Sequence, residues 1–451
     1  MNANSAARRY ALVSFLTWLP AGLMIAPLVL LMLGRGLTIV QVGVVMTVYS
    51  LVIAVLELPT GGLADVVGRR AVLALAAACT ALSLGLLVLA TSFWAFVLAC
   101  GVLGVSRALS SGPAEAWYVD TLHAVEGAEA DLRPGLARGH VMEDVALGVG
   151  VLAGGFVPLL DLPLDLPLGL PALTVPPLAG AVAALVWLGV VLVALPEPPH
   201  PRVRLGEVLR GVPLTVASGV RVAVRDGVLR RLVLLSAVVG MALTCVELLV
   251  PGHLATLTGS AELGATAYAV VAAVGFAGGA LGSGLAPALA RRLAGREAVM
   301  SGNKGREAGV SGDKGREAPG AKGSVRGAVA GLVLSGLSLA GLALSALLGG
   351  ASGVGSVVLA GLPYAVLFVG LGAYGVLRAE LSHHRVTAAE RATMASAASL
   401  AGSGGAALAN LTLAPLAMGL GTAAAWWLVA AVVLLSSLLF FRLPVRERTA
   451  V

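Results

Sequence analysis

The sequence predicts an all-α integral membrane protein of twelve transmembrane helices, arranged as two pseudo-symmetric six-helix bundles. Three observations predict it. First, charged residues are 12% of the 451-residue chain and hydrophobic residues 58%. Ordinary soluble proteins hold roughly 25% and 45–50%. Mean hydropathy is +0.95. Second, charge-free runs are very long: 51 residues over 327–377, 50 over 392–441 and 36 over 71–106. One helical crossing takes about 20 residues, so such runs read as membrane hairpins. Third, the basic residues sort to one side. A secreted protein, a nucleic-acid binder and a soluble enzyme are excluded.

The first apolar stretch, Tyr10 to Leu33, follows Arg8 and Arg9. It is too long for a signal core and lacks a small-residue cleavage site, so it reads as a membrane helix. The further spans run 39–61, 71–90, 93–119, 139–160, 177–196, 232–251, 265–290, 327–348, 353–377, 392–417 and 422–441. Glycines at Gly349, Gly350 and Gly353 split one long run, and Gly419 and Gly421 split another. Positively charged loops stay in the cytoplasm. With the N-terminus inside, 28 of the 30 Lys and Arg fall in inner segments; Arg35 falls outside and Arg107 within a span. Both termini are then cytoplasmic. Trp94 and the pair Trp426–Trp427 fall at outer ends, where indoles favour the headgroup layer. Cys79, Cys100 and Cys245 lie in apolar segments, so no disulfide framework is implied. Arginine outnumbers lysine 27 to 3 in an Ala-, Gly-, Leu- and Val-rich chain, a composition that points to a GC-rich bacterial genome.

This divides the chain into a first bundle over 1–196, a cytoplasmic linker over 197–231, and a second bundle over 232–451. The linker carries Val212, Val216, Val220, Val224 and Val228 at four-residue spacing beside Arg221 and Arg225. That pattern fits a helix on the inner leaflet, arginines toward lipid phosphates, and equally a helix packed on the protein. The loop at about 293–325 contains a ten-residue repeat. Gly295-Arg296-Glu297-Ala298 recurs from Gly305 and again from Gly315. Rich in glycine and charge, it has little to bury, and disorder is expected.

A larger repeat separates the halves. Gly62-Leu63-Ala64-Asp65-Val66-Val67-Gly68-Arg69-Arg70 follows the second span. Gly284-Leu285-Ala286-Pro287-Ala288-Leu289-Ala290-Arg291-Arg292 follows the eighth, 222 residues later. Two parallel six-helix halves are a known transporter plan. In the second copy Pro287 replaces the acid, so the halves should not gate identically.

With Gly61, the first copy resembles the loop motif of the major facilitator superfamily, Gly-x-Leu-Ala-Asp-Arg-x-Gly-Arg-Arg. Val66 replaces the usual base. The stretches Glu57-Leu58-Pro59-Thr60 and Arg107 to Trp117 are also similar to one bacterial, efflux-like branch. Physically, Gly61 and Gly68 permit a tight turn. Asp65 suits the exposed amides and dipole of a helix N-terminus, and Arg69 and Arg70 fit the inner face. The resemblance implies that Asp65 docks on the start of the eleventh helix when the inner side is closed. Thr387-Ala388-Ala389-Glu390 has capping-box spacing there, with Thr387 as cap and Glu390 reaching back.

Charges inside spans are costly and are functional candidates. Arg107 lies mid-span, with Ser111 and Glu115 following at four-residue steps on one expected face. It suits an anionic group or a protonatable acid, and also a fixed ion pair. Glu57 lies eight residues before Asp65, about 12 Å inside at roughly 1.5 Å per residue, and is a candidate proton carrier. Glu143 is shallower. Asp120 and Asp144 fit an inner charge network with Arg69, Arg70 and Arg138. Glu247, near Pro251, suits an outer gate, a cation site or a solvated helix end. Trp18, Trp117, Tyr364 and Tyr374 are candidate cavity aromatics, with packing an equal alternative for each.

Gly150 to Gly155 partly matches the superfamily's antiporter motif, with Val151 in place of proline. Small residues there also favour close helix packing. Gly370-Leu371-Gly372-Ala373-Tyr374-Gly375 fits a dinucleotide pattern, but it lies in a membrane run without a preceding strand. No cofactor and no metal site are expected. The resulting expectation is a secondary transporter of the bacterial cytoplasmic membrane, not an enzyme. It works as a monomer among membrane lipid by alternating access. It exports a small, largely apolar substrate in exchange for protons, through Glu57 and Glu115 with Arg107 adjusting them. The alternatives are proton-coupled uptake or facilitated diffusion of a nutrient, and a non-transporting membrane sensor or scaffold.

Asp65→Asn is expected to weaken the closed inner gate and cut transport. Initial rates at matched expression check it, and an unchanged rate counts against the docking role.

Overall fold

A computed structural model describes residues 2–127, 130–160, 171–196, 227–301, 319–348, 353–383 and 388–440. Among the described residues the regular structure is entirely helical. The helices are α1 (Ala3–Ile25), α2 (Leu28–Gly34), α3 (Ile39–Val67), α4 (Arg69–Leu89), α5 (Phe93–Ser110), α6 (Pro113–Glu126), α7 (Arg133–Phe156) and α8 (Val175–Ala194). After the linker come α9 (Gly227–Thr258), α10 (Ala261–Ser301), α11 (Pro319–Leu348), α12 (Val354–His383), α13 (Ala388–Leu420) and α14 (Thr422–Ser436). Among the described residues eleven helical segments are long and apolar enough to cross a membrane, and the bent pair α1–α2, taken as one span, makes a twelfth.

Several spans differ from the sequence expectation. The first is two helices meeting at 43°, because Pro27, at the junction, has no N–H to continue the ladder. The fourth breaks after Ser110. Ser111 is extended, Gly112 takes φ +94, and Pro113 opens α6. Arg107 and Glu115 therefore do not share one continuous helical face. The turn after the second span is sharper than expected. α3 runs through Gly61 to Val67, and Gly68 alone, at φ 100, separates it from α4. A left-handed φ is costly for any residue with a Cβ, so glycine is required there. α10 extends to Ser301, so the start of the repeat loop is helical; 302–318 lie outside the described residues. Most of the linker also lies outside them, and Val228 is buried at the start of α9. Trp94 is 75% exposed and Trp427 46%, whereas Trp426 is buried against His253, at a ring separation of 5.2 Å. One indole of that pair therefore packs in the protein instead of facing the headgroups.

Helix pairing repeats between the halves. In the first half α1 packs on α7 and α8, α4 on α5 and α8, and α3 on α5. In the second half α9 packs on α13 and α14, α11 on α12 and α14, and α10 on α12. The bundles meet along two seams, α3 on α13 and α7 on α10.

Close approach depends on small residues, because lipid offers no hydrophobic drive between helices. A Cβ on Gly150 would lie 2.8 Å from the Gly22 Cα, and one on Gly154 would collide with the Leu23 carbonyl. Gly150 and Gly154 of the fifth span are thus contacts of α7 with α1, whereas Gly155 of the same run meets Ala269 on α10. At the seams, a Cβ on Gly43 would lie 2.5 Å from the Asn410 carbonyl oxygen, and the Thr266 hydroxyl donates to the Gly155 carbonyl at 2.6 Å. The dinucleotide-like run serves the same purpose: a Cβ on Gly370 or Gly372 would collide with Ser335 or Gly279.

The expected inner end of α8 is held by three donors. Arg9 bonds the Ala194 carbonyl at 2.5 Å, Arg70 bonds the Leu192 carbonyl, and Trp117 Nε1 bonds the Pro196 carbonyl at 2.8 Å. Cations at a helix C-terminus satisfy orphan carbonyls and complement the dipole.

Gly154→Ala should destabilise the protein by about 1–3 kcal/mol through overpacking. Gly148→Ala, where nothing lies within 4 Å, should be near neutral. Thermal unfolding of the two variants in the same detergent checks this, and equal midpoints would contradict it.

Candidate functional site

A central cavity has two lobes, the larger between the bundles and the smaller within the first bundle, where Glu247 of the second bundle reaches it. The larger, about 680 Å³, is walled by α3, α9, α12 and α13. The smaller, about 290 Å³, is walled mainly by α1, α3, α4 and α5. Val29, Met46, Tyr49 and Glu247 line both, so the lobes adjoin.

Arg107 enters the smaller lobe from α5. Its guanidinium carbon lies 3.6 Å from the centre of the Trp18 ring on α1. An arginine over an indole face is stabilised by the ring quadrupole. Glu57 and Glu143 are the carboxylates whose fields act on it. Among the described residues no carboxylate lies within 4 Å of it. Glu247 sits on α9 well before the helix end, and its exposed surface faces the cavity. Tyr49, on α3, feels both charges.

Glu57 lies on the α3–α13 seam. Its Oε2 accepts a hydrogen bond from the Ser399 hydroxyl at 2.8 Å, and Ser399 lines the larger lobe. One helical turn on, the Thr60 hydroxyl donates to the Ala108 carbonyl at 2.9 Å. Glu115 is exposed in the first turn of α6 and lines neither lobe. Glu143 is half-buried on α7 and lies 3.5 Å from His140.

The four candidate aromatics divide. Trp18 and Tyr374 line the cavity. Trp117 is fully buried and holds the end of α8 instead. Tyr364 is buried in the second bundle, stacked on Phe368 with a ring separation of 5.0 Å. Both pack because their helices turn them into a bundle core, which residue type alone does not reveal.

At the motif loop Arg69 pairs with Asp120 at 2.9 Å, joining α4 to α6. Asp144 is exposed. The side chains of Asp65 and Glu390, and the whole of Thr387, lie outside the described residues; α13 is described from Ala388.

Sequence reasoning missed Arg378 and Asn410. Arg378 lines the larger lobe and donates to Ser236 at 3.0 Å. Its signal was its position, as the first charge after a 51-residue charge-free run. Asn410 is 3% exposed and lines the same lobe, and its Oδ1 has no hydrogen-bond partner among the described residues. The Tyr374 hydroxyl is likewise buried and unpartnered there.

Comparison with known proteins agrees with this architecture. Residues 10–303 match the family description Major Facilitator Superfamily. A search of curated protein sequences finds no match. Among solved structures, a point mutant of the nucleoside transporter NupG is similar over 96% of this chain and 98% of its own, at 12% identity and a TM-score of 0.72. A POT family transporter in complex with a thioalcohol-conjugated peptide covers 96% and 94%, at 14% identity and a TM-score of 0.65. An auto-inhibited POT family peptide transporter covers 99% of each chain, at 13% identity and a TM-score of 0.64. At these identities the likeness is one of fold. With twelve spans in two bundles, a cavity between them and a family match over most of its length, the chain belongs to the Major Facilitator Superfamily and is a multi-pass membrane transporter, not an enzyme.

Proposed function

We propose that the protein is a proton-coupled exporter of a small, largely apolar molecule, acting as a monomer in a bacterial cytoplasmic membrane with both termini inside. The observation that carries the coupling is the Glu57–Ser399 hydrogen bond of 2.8 Å across the seam between the bundles. Hydrogen bonds to an ionised carboxylate are roughly twice as strong as neutral ones. A proton arriving on Glu57 weakens this link, and its departure restores it. Occupancy of one carboxyl is thereby tied to contact between the two moving bodies, as alternating access requires.

The apolar part of the cargo fits the smaller lobe, where Met24, Leu28, Leu84 and Leu103 contribute walls. The export direction rests on the partial antiporter motif of the fifth span, whose glycines also serve packing. Glu115, beyond the break in the fourth span, is assigned a lesser part. Asp65, Arg69 and Arg70 are assigned to the inner gate.

Proteoliposomes carrying an internal pH dye test the coupling. Cargo-driven proton movement should fall at least about tenfold in Glu57→Gln, the scale of losing one charge-assisted link, and persist in Glu115→Gln. Cargo transport with no proton movement in the wild type would overturn the coupling. Accumulation in right-side-out vesicles, and not in everted ones, would replace export by uptake.

A further inference from the structure

The smaller lobe presents two opposite charges from opposite bundles. Arg107 belongs to the first bundle and Glu247 to the second, and both line the same cavity of about 290 Å³. They are not paired with each other or with any other charged side chain within 4 Å among the described residues. Arg107 is held by the Trp18 ring face, which leaves its N–H edge free to donate. Glu247 lines the same lobe and is exposed there. Ionisable groups of opposite sign left without a partner in a confined space are costly to charge unless a ligand completes them.

We infer that the cargo is amphoteric: a small molecule bearing an anionic group for Arg107, a cationic amine for Glu247, and an apolar body between or beside them. This rests on the transporter reading but on neither its direction nor its proton coupling. An anionic carboxylate takes two parallel N–H bonds from a guanidinium. An ammonium group donates to the Glu247 carboxylate. The Trp18 and Tyr49 rings flank the apolar body.

The arrangement also selects by exclusion. A molecule with only an amine satisfies Glu247 and leaves Arg107 without an anion when the cavity closes. A carboxylate alone leaves Glu247 bare. Only a ligand with both charges neutralises both walls, and in doing so it ties the two bundles together. Cargo of the right class thus lowers the cost of occlusion, and the wrong class raises it.

The test is equilibrium binding to the purified full-length protein in lipid nanodiscs, with four probes sharing one aromatic ring. Two are zwitterions: phenylalanine, with adjacent charges, and para-aminomethyl-phenylacetate, with charges at opposite ends of the ring. The others are phenethylamine and phenylpropionate. At least one zwitterion should bind about tenfold or more tighter than both single-charge probes, as expected for one extra charge-assisted contact. Arg107→Gln should erase the advantage over phenethylamine, and Glu247→Gln the advantage over phenylpropionate. Arg107→Lys, which keeps the charge, should retain much of it. Thermal unfolding of each variant near the wild-type midpoint confirms folding. If a single-charge probe binds as tightly as both zwitterions, if none of the four binds, or if both Gln variants keep the wild-type preference, the inference is overturned. Zwitterion-preferring transport that moves no protons would instead overturn the proposed coupling and leave this inference standing. Proton-driven transport with a preference for phenethylamine or phenylpropionate would do the reverse.

Discussion

Inside a bilayer no water is available to satisfy a free backbone group, and every other feature of this protein follows from that constraint. The chain meets it with helices, few of them broken within a span. Since neighbouring helices gain little from hiding apolar surface that lipid already accommodates, their contacts depend on shape. Gly22 against Gly150, Gly154 against Leu23 and Gly43 against Asn410 bring backbones close enough for dispersion to hold them. Where the ladder does break, at Pro27 and at Ser111–Gly112, the break lies beside the first bundle's wall of the cavity.

The same constraint explains how polar groups are distributed. Most hydroxyls bond back to a carbonyl of their own helix, as Thr47 does to Gly43 and Ser335 to Gly331. Three charged side chains stand apart from that pattern. Glu57 reaches Ser399 across a seam, Arg107 rests on Trp18, and Glu247 faces open cavity. A transporter must hold charge where it is most costly, because the cost is what couples occupancy to movement. By contrast Arg9 and Arg70 reach the end of α8 and line neither lobe of the cavity.

Legibility in the sequence varied with the physical source of each signal. The spans and the two halves were readable, since hydropathy is a property of residues summed along a window. The turn at Gly68 was readable too, although Gly61 proved helical. The candidates Arg107, Glu57 and Glu247 were found by their rarity in apolar runs. Their partners were not. Ser399 lies 342 residues from Glu57, and nothing in its own surroundings in the chain distinguishes it from other serines. For Trp117 and Tyr364 the sequence left cavity and core equally open, and both are core residues, because composition does not say which way a helix is rotated.

By itself, then, the sequence determined the solvent of the chain, the number of crossings, the repeat of its halves and the loop motif that marks its family. Each is local or additive, and survives without knowing what touches what. Only the tertiary structure decided which charges share a cavity, which aromatic faces it and which glycines are contacts. Those depend on helix rotation and on pairings hundreds of residues apart. In helices apolar on almost every face, no stripe in the sequence records that rotation; only packing sets it.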